Sequence, residues 1–183
     1  MRSATRVALD WALLNHVLVI AGPAGVGKTS TANEVSQQLR AAGVPHAVVD
    51  TDALDDVYPV PAEQWRITER NLAAVWRTYS ELGIHRLILT GVYTHRDSEL
   101  AWIRRATTAD RLTLVELTAS EATLMERVRG RELGSGLDDQ RRRTLRQAGE
   151  IEAERSPDVL LIETDGRSVV STAERIVGLL DWG

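Results

Sequence analysis

The stretch His16-Val-Leu-Val-Ile-Ala21-Gly22-Pro-Ala-Gly-Val-Gly27-Lys28-Thr29 runs from an unbroken apolar segment through a glycine-rich turn into a lysine and a threonine. Residues 17–20 are apolar without polar alternation, the pattern of a parallel strand covered on both faces, so a central strand is predicted here. Downstream, Ala32, Val35 and Leu39 recur at helical spacing and Gly43 follows as a stop signal, which predicts a helix over 28–41. Between strand and helix, residues 22–29 match G-x-x-x-x-G-K-[ST] at every specified position. Glycines at these places let the backbone turn its N–H groups into one concavity, where anionic oxygens replace water at a helix N-terminus. A lysine so placed reaches the β- and γ-phosphates of a nucleotide, and the hydroxyl after it ligates Mg²⁺. The expected cradle is Gly22, Gly25, Val26, Gly27, Lys28, Thr29 and Ser30, with Lys28 also catalytic and Thr29 on the metal.

Outward from this loop the alternation of strand and helix continues. Apolar runs predict strands at 47–49, 86–90, 112–117 and 159–162. Helices are expected at 63–82, with Ile67, Leu72, Val75, Trp76 and Tyr79 inward, and at 98–105. Thr118-x-x-Glu121 reads as a capping box opening a helix to about residue 131. Gly130, Gly134, Ser135 and Gly136 mark a loop, a charged helix spans 138–155 before Pro157, and a last helix carries Val170, Ala173, Ile176, Val177 and Leu180. Five strands alternating with helices give the α/β class: one domain over 1–183, a parallel sheet wrapped on both faces with right-handed crossovers.

Composition narrows the function classes. The chain has 183 residues, 43% of them hydrophobic, with no Phe, so aliphatic side chains fill the core. A formal net charge of -4 argues against a nucleic-acid partner. The absence of cysteine removes disulfides and thiol catalysis and suits a reducing cytoplasm. Near the N-terminus Asp10, Asn15 and His16 interrupt the apolar residues, so neither a signal peptide nor a membrane span is expected. The four histidines have no metal-ligand spacing, which disfavours zinc. Trp65 and Trp76 read as core or rim packing, and His95 as a surface-loop residue.

Asp50-Thr51-Asp52 follows the second predicted strand. Ligands of open parallel sheets gather at the carboxyl ends of strands, so both carboxylates would face the phosphate loop if the second strand lies near the first. One would then serve the metal's hydration shell and the other would accept the proton of an attacking hydroxyl; the alternative is an ordinary aspartate turn after a strand.

The loop, this D-x-D and the later arginines resemble the P-loop small-molecule kinases of the shikimate kinase, gluconate kinase and adenylylsulfate kinase group. The resemblance implies a three-layer P-loop NTPase fold with a small lid at about 127–140 and an acceptor-binding region at about 52–80. It implies that Asp50 lies near Mg²⁺ and that Asp52 binds and activates the acceptor hydroxyl. Arg70, Asn71, Tyr93 and Arg96 are the implied acceptor-binding residues, in stretches similar to those of adenylylsulfate kinases. Arg127 and Arg131, one helical turn apart, are the implied lid arginines, reaching the adenine ring or the transferring phosphoryl group. Arg141, Arg142 and Arg143 read as a solvated face from which one member could fold inward.

The third predicted strand ends in Leu89-Thr90-Gly91, without the acid many P-loop ATPases place there, which weakens a motor or switch reading. The expected function is transfer of the γ-phosphoryl group of ATP, with Mg²⁺, to a hydroxyl of a small polar metabolite, nucleotide or antibiotic in the cytoplasm, the oligomeric state being open. The alternatives are a regulatory nucleotide-binding ATPase and a nucleic-acid end kinase.

Overall fold

Val17, Leu18, Val19, Ile20 and Ala21 are all fully buried, so the first strand is covered on both faces as its apolar run requires. In the computed structural model, which describes residues 14–93, 97–131, 137–157 and 159–182, this strand β1 (His16–Ala21) lies at the middle of five. The others are β2 (Ala47–Asp50), β3 (Arg86–Thr90), β4 (Arg111–Thr118) and β5 (Leu160–Glu163). All pairings are parallel, in the order β2-β3-β1-β4-β5.

Among the described residues six helices cover the sheet: α1 (Lys28–Ala41), α2 (Gln64–Glu81), α3 (Asp97–Thr107), α4 (Glu121–Arg131), α5 (Leu137–Ala153) and α6 (Val169–Val177). Leu18 and Ile20 pack with Val35 and Leu39 of α1, Leu124 of α4 and Ile176 of α6 on one face. Val17 and Val19 pack with Leu72 and Trp76 of α2 and Ile103 of α3 on the other. Period-two alternation along β1 thus feeds two separate apolar layers.

Most element ends fall within one or two residues of expectation, with two differences: α6 ends at Val177 with Gly178 as its cap, so Leu180 is buried beyond the helix, and the α4 cap is not where the pattern put it. Thr118 is not a helix cap. The β4 ladder runs through it, pairing it with Glu163, and its carbonyl accepts the Thr164 N–H at 2.8 Å. The α4 cap is Ser120, whose Oγ accepts the Thr123 N–H at 3.3 Å. Asp165 closes this corner by accepting from the Ser120 N–H at 2.8 Å and from the Ser120 and Thr123 hydroxyls, each at 2.6 Å. Those hydrogen bonds lower the Asp165 pKa to about 2.

Two buried polar groups tie the sheet to later parts of the chain. Glu116 of β4, 1% exposed, accepts from Arg155 just beyond α5, with contacts of 2.6 and 3.1 Å. His16, 6% exposed, lies at the other end of the sheet. Its Nδ1 accepts the Trp182 indole N–H at 2.7 Å, and its Nε2 lies 2.8 Å from the Thr113 hydroxyl. Indole can only donate, so Nδ1 carries no proton and the ring is the neutral Nε2–H tautomer. Burial first, then Arg111 and Arg86 against the opposing pull of Asp181, lowers the His16 pKa from 6.5 to about 4. Among the described residues no helix is long and apolar enough to cross a membrane.

Candidate active site

Gly22 leaves β1 at φ 140°, where a Cβ would come within 2.6 Å of the Leu117 carbonyl oxygen, so only glycine fits. The chain then wraps over the N-terminus of α1, whose first turn holds no acidic residue and keeps its positive end available to anions. Lys28 is 8% exposed, and its ammonium donates to the Gly22 carbonyl at 2.9 Å and the Pro23 carbonyl at 3.2 Å. The charge therefore sits at the loop rim rather than in the core.

β2 is not adjacent to β1, because β3 lies between them. Asp50 nevertheless reaches the loop, because α1 crosses that gap and presents Thr29 to it. The Thr29 hydroxyl donates to Asp50 Oδ2 at 3.1 Å, and Asp50 Oδ1 accepts the Asp52 N–H at 3.1 Å. A hydroxyl and a carboxylate are hard oxygen donors, and Mg²⁺ is commonly held by one or two such groups together with substrate phosphates. Among the described residues no cluster of three or more His, Cys, Asp or Glu could cage a metal by itself. The pair therefore fits Mg²⁺ shared with phosphates and not a protein-enclosed ion.

Asp52 follows in a short 3₁₀ turn, Thr51–Ala53. It is exposed as a residue, but its carboxyl lines the cleft, and partial burial there is the largest influence on it. Burial raises its pKa, Lys28 pulls it down, and Asp50 and Asp55 push it up again, with an upward net result. Asp55 accepts the Thr68 hydroxyl at 2.7 Å, and Asn71 donates to the Leu54 carbonyl at 2.6 Å, so α2 holds the turn in place.

Beneath Asp52, the Thr51 hydroxyl donates to the Thr90 carbonyl at 2.9 Å and has no second proton, so the Tyr93 hydroxyl at 2.8 Å is the donor to it. Tyr93 is 3% exposed, and burial raises its pKa, keeping it protonated. Gly91 makes the layer possible: a Cβ there would collide with Thr51 Oγ1 and approach the Tyr93 ring to 2.7 Å.

These groups open into one cleft. A cavity of about 540 Å³ is bordered by Lys28, Thr29, Asp52, Arg143 and Gln147. A smaller one of about 250 Å³ shares Asp52, Asp55, Gln64 and Val92 with it and continues to Trp65, Tyr93 and Trp102. A third, of about 360 Å³, lies beyond Gly25 and Gly27 and is bordered by Ser30, Arg127 and Arg167.

Arg127 belongs to that third cavity. Its guanidinium donates to the Val26 carbonyl and the Thr164 hydroxyl, each at 3.0 Å, and to the Thr164 carbonyl at 3.2 Å. It does not border the cavity that holds Asp52. Arg70 is exposed, two residues from both buried Thr68 and Leu72, and thus about 200° around the helix from each. It points away from the cleft. The Asn71 amide donates one N–H to the Leu54 carbonyl, and the Tyr93 hydroxyl proton goes to Thr51. Trp76 is buried core, whereas Trp65 stands 47% exposed at the rim with the Arg66 guanidinium 5.3 Å from its ring centroid. Arg96, His95, the side chain of Arg131 and residues 132–136 of the expected lid lie outside the described residues.

The cleft also uses Arg143, which the sequence left on a solvated face from which one member could fold inward, and Gln147, which the sequence reading passed over. Arg143 and Gln147 of α5 border it, and Gln147 Oε1 accepts the Ala24 N–H of the loop at 3.2 Å. Their signal is helical: Thr144, Ala148 and Ile151 form the inward stripe of an otherwise charged helix, and Gln140, Arg143 and Gln147 flank it. Arg142 instead pairs with Asp139 at the surface.

The sequence matches no protein-family model and no curated protein. Solved structures match over nearly the whole chain. The tunicamycin resistance protein of Deinococcus radiodurans superposes with TM-score 0.62 at 17% identity, covering 92% of this chain and 97% of that one. APS kinase of Mycobacterium tuberculosis, in complex with AMPPNP and APS, gives 0.60 at 21% identity, covering 92% and 98%. A gluconokinase from Sinorhizobium meliloti 1021 gives 0.55 at 19%, covering 91% and 95%. The fold is that of the P-loop small-molecule kinases. On this kinase fold the loop, the Asp50–Asp52 turn and the inner face of α5 surround a single cleft at the carboxyl ends of the strands.

Proposed function

We propose that this protein is a phosphotransferase that moves the γ-phosphoryl group of ATP to a hydroxyl of a small polar molecule. The observation that carries the reading is the shared cavity of about 540 Å³, in which Lys28, Thr29 and Asp52 meet. A phosphate cradle alone suits any nucleotide-binding protein. A carboxylate of raised pKa beside it, next to a second cavity, suits transfer to an acceptor.

The nucleoside would occupy the cavity beside Arg127, with its phosphates on the loop amides between Gly25 and Ser30. Lys28 would turn its ammonium from the two loop carbonyls toward the β- and γ-oxygens. Thr29 and Asp50 would hold Mg²⁺, which neutralises phosphate charge when bound. In the acceptor cavity Asp52 takes the proton of the hydroxyl as its oxygen bonds to the γ-phosphorus and the bond to the β-γ bridging oxygen breaks. ADP leaves and Asp52 keeps the proton until product release. Arg143, on the α5 side of the same cavity, is the described arginine best placed to meet charge on the transferring group. Asn71, Thr51 and Tyr93 position the Asp52 turn, and Arg70 has no part in it. The donor is a cytoplasmic compound, and we assign the reaction to the cytoplasm.

The test is incubation with ATP, Mg²⁺ and a library of hydroxylated metabolites, nucleotides and antibiotics, read by mass for the gain of one phosphate. The expected result is a phosphorylated acceptor with stoichiometric ADP. Slow ADP formation with no phosphorylated acceptor would instead support a regulatory ATPase.

A further inference from the structure

The acceptor cavity has a chemical character of its own. Among the described residues its lining carries the carboxylates of Asp52 and Asp55 beside three aromatic residues, Trp65, Tyr93 and Trp102, with no Lys, Arg or His. The cations of the cleft among the described residues, Lys28 and Arg143, border the neighbouring phosphate cavity, where the donor's phosphates claim them. An acceptor in the smaller cavity therefore meets carboxylates on one side and, once ATP is bound, its γ-phosphate on the other. An anionic group there would be repelled from both directions.

Asp55 is the decisive group. One carboxylate oxygen accepts the Thr68 hydroxyl at 2.7 Å, while the other takes no hydrogen bond among the described residues. It opens into a cavity that Trp65 and Trp102 also line, and indole faces attract cations. Asp52 stands three residues away in the same lining, ready for the hydroxyl. A volume of about 250 Å³ is below the roughly 300–1,000 Å³ of drug-sized ligand sites, which limits the bound portion to about one ring.

From this lining we infer that the acceptor is a ring-sized hydroxylated amine, of the amino-sugar or aminocyclitol class, whose ammonium sits on Asp55 while its hydroxyl faces Asp52. The inference rests on the kinase reading above and adds the charge and size of its substrate.

The experiment uses the whole chain with ATP and Mg²⁺ and three sets of ring compounds: amino sugars and aminocyclitols, their neutral counterparts, and the corresponding sugar and cyclitol acids. Phosphate gain and kcat/KM are measured for each, with the nucleotide dissociation constant as the control for an intact fold. A hydrogen bond between charged partners is worth about tenfold to a hundredfold in affinity, so the amines should lead their neutral counterparts by at least about tenfold, and the acids should trail both. Asp55→Asn should raise KM for the best amine by about the same factor with kcat less affected, and should narrow the gap between amine and neutral compound. A neutral or acidic compound as best acceptor, or an unchanged amine KM in Asp55→Asn, overturns the inference and leaves the kinase reading standing. ATP binding without phosphate gain in any of the three sets also overturns the inference, and the kinase reading falls with it only if the wider library of metabolites, nucleotides and antibiotics gains no phosphate either.

Discussion

Acidification from pH 7 to pH 5 should weaken the fold through His16, while most ordinary carboxylates are still ionised. Its Nδ1 accepts the Trp182 indole N–H at 2.7 Å, so a proton arriving there would set two donors against each other. Arg111 of β4 and Arg86 of β3 face the ring and oppose a positive charge, while Asp181 compensates only in part. The folded pKa is about 4 against 6.5 unfolded, so the unfolded chain binds the proton first. The stability from a neutral His16 is complete above pH 6.5 and is lost as pH falls toward 4. Its full extent is about 3 kcal/mol, and about 2 kcal/mol of it falls between pH 7 and pH 5. For a chain of this length that corresponds to a fall in Tm of about 4–8 °C. Urea denaturation at pH 7, 6 and 5 measures it, with His16→Asn as the comparison. The variant should be less stable at pH 7 and flatter with pH, since the asparagine carbonyl still accepts from Trp182 but does not titrate in this range. Equal pH dependence in the two proteins, or a His16 ring that titrates near 6.5 by NMR, would refute the reasoning.

Lys28→Ala should lower phosphoryl transfer by about 10²-fold or more and weaken ATP binding, checked by steady-state kinetics and calorimetry. Asp52→Asn should cost about 10²–10⁴ in kcat with ATP affinity retained, whereas Asp50→Asn should raise the Mg²⁺ concentration needed for half-maximal rate by about 10–100-fold; Mg²⁺ titrations of both variants separate the roles. Arg127→Ala removes the guanidinium that bridges Val26 and Thr164, so Tm should fall together with nucleotide affinity, by thermal melts with and without ATP. Gly91→Ala should destabilise by about 1–3 kcal/mol in urea titrations, because the new methyl meets Thr51 and Tyr93.

The centre of the sheet was legible because 17–20 and 87–89 are short apolar runs bounded by turn signals, and the buried layers on either side of them bear this out. The helices followed from period, and the phosphate loop from local backbone chemistry. Strand order was not legible. Nothing in the short run 47–49 says that β3 inserts between β2 and β1, and the approach of Asp50 to Thr29 depends on α1 crossing that gap. Thr118 misled because a capping pattern is local, while the ladder that keeps it in β4 is made with β5, far along the chain. Arg70 was placed by likeness along the sequence, which carries no helix phase. Gln147 was hidden, and Arg143 could not be singled out from Arg141 and Arg142, in a helix so rich in charge that three inward residues, Thr144, Ala148 and Ile151, hardly mark its buried stripe.

The buried pair of Glu116 and Arg155 gives α5 a fulcrum. Arg155 is fixed to the central sheet at the C-terminal end of this helix, and 12 residues separate it from Arg143. Of these, the helical residues from Arg143 to Ala153 alone span about 15 Å at 1.5 Å per residue, so a rotation of about 10° around the fulcrum would carry Arg143 through about 3 Å. Gln147, at two-thirds of that radius, sweeps about 2 Å, enough to release the Ala24 amide. On the proposed reading, a small angular change at the sheet would be the difference between an arginine that touches a phosphoryl oxygen and one that does not.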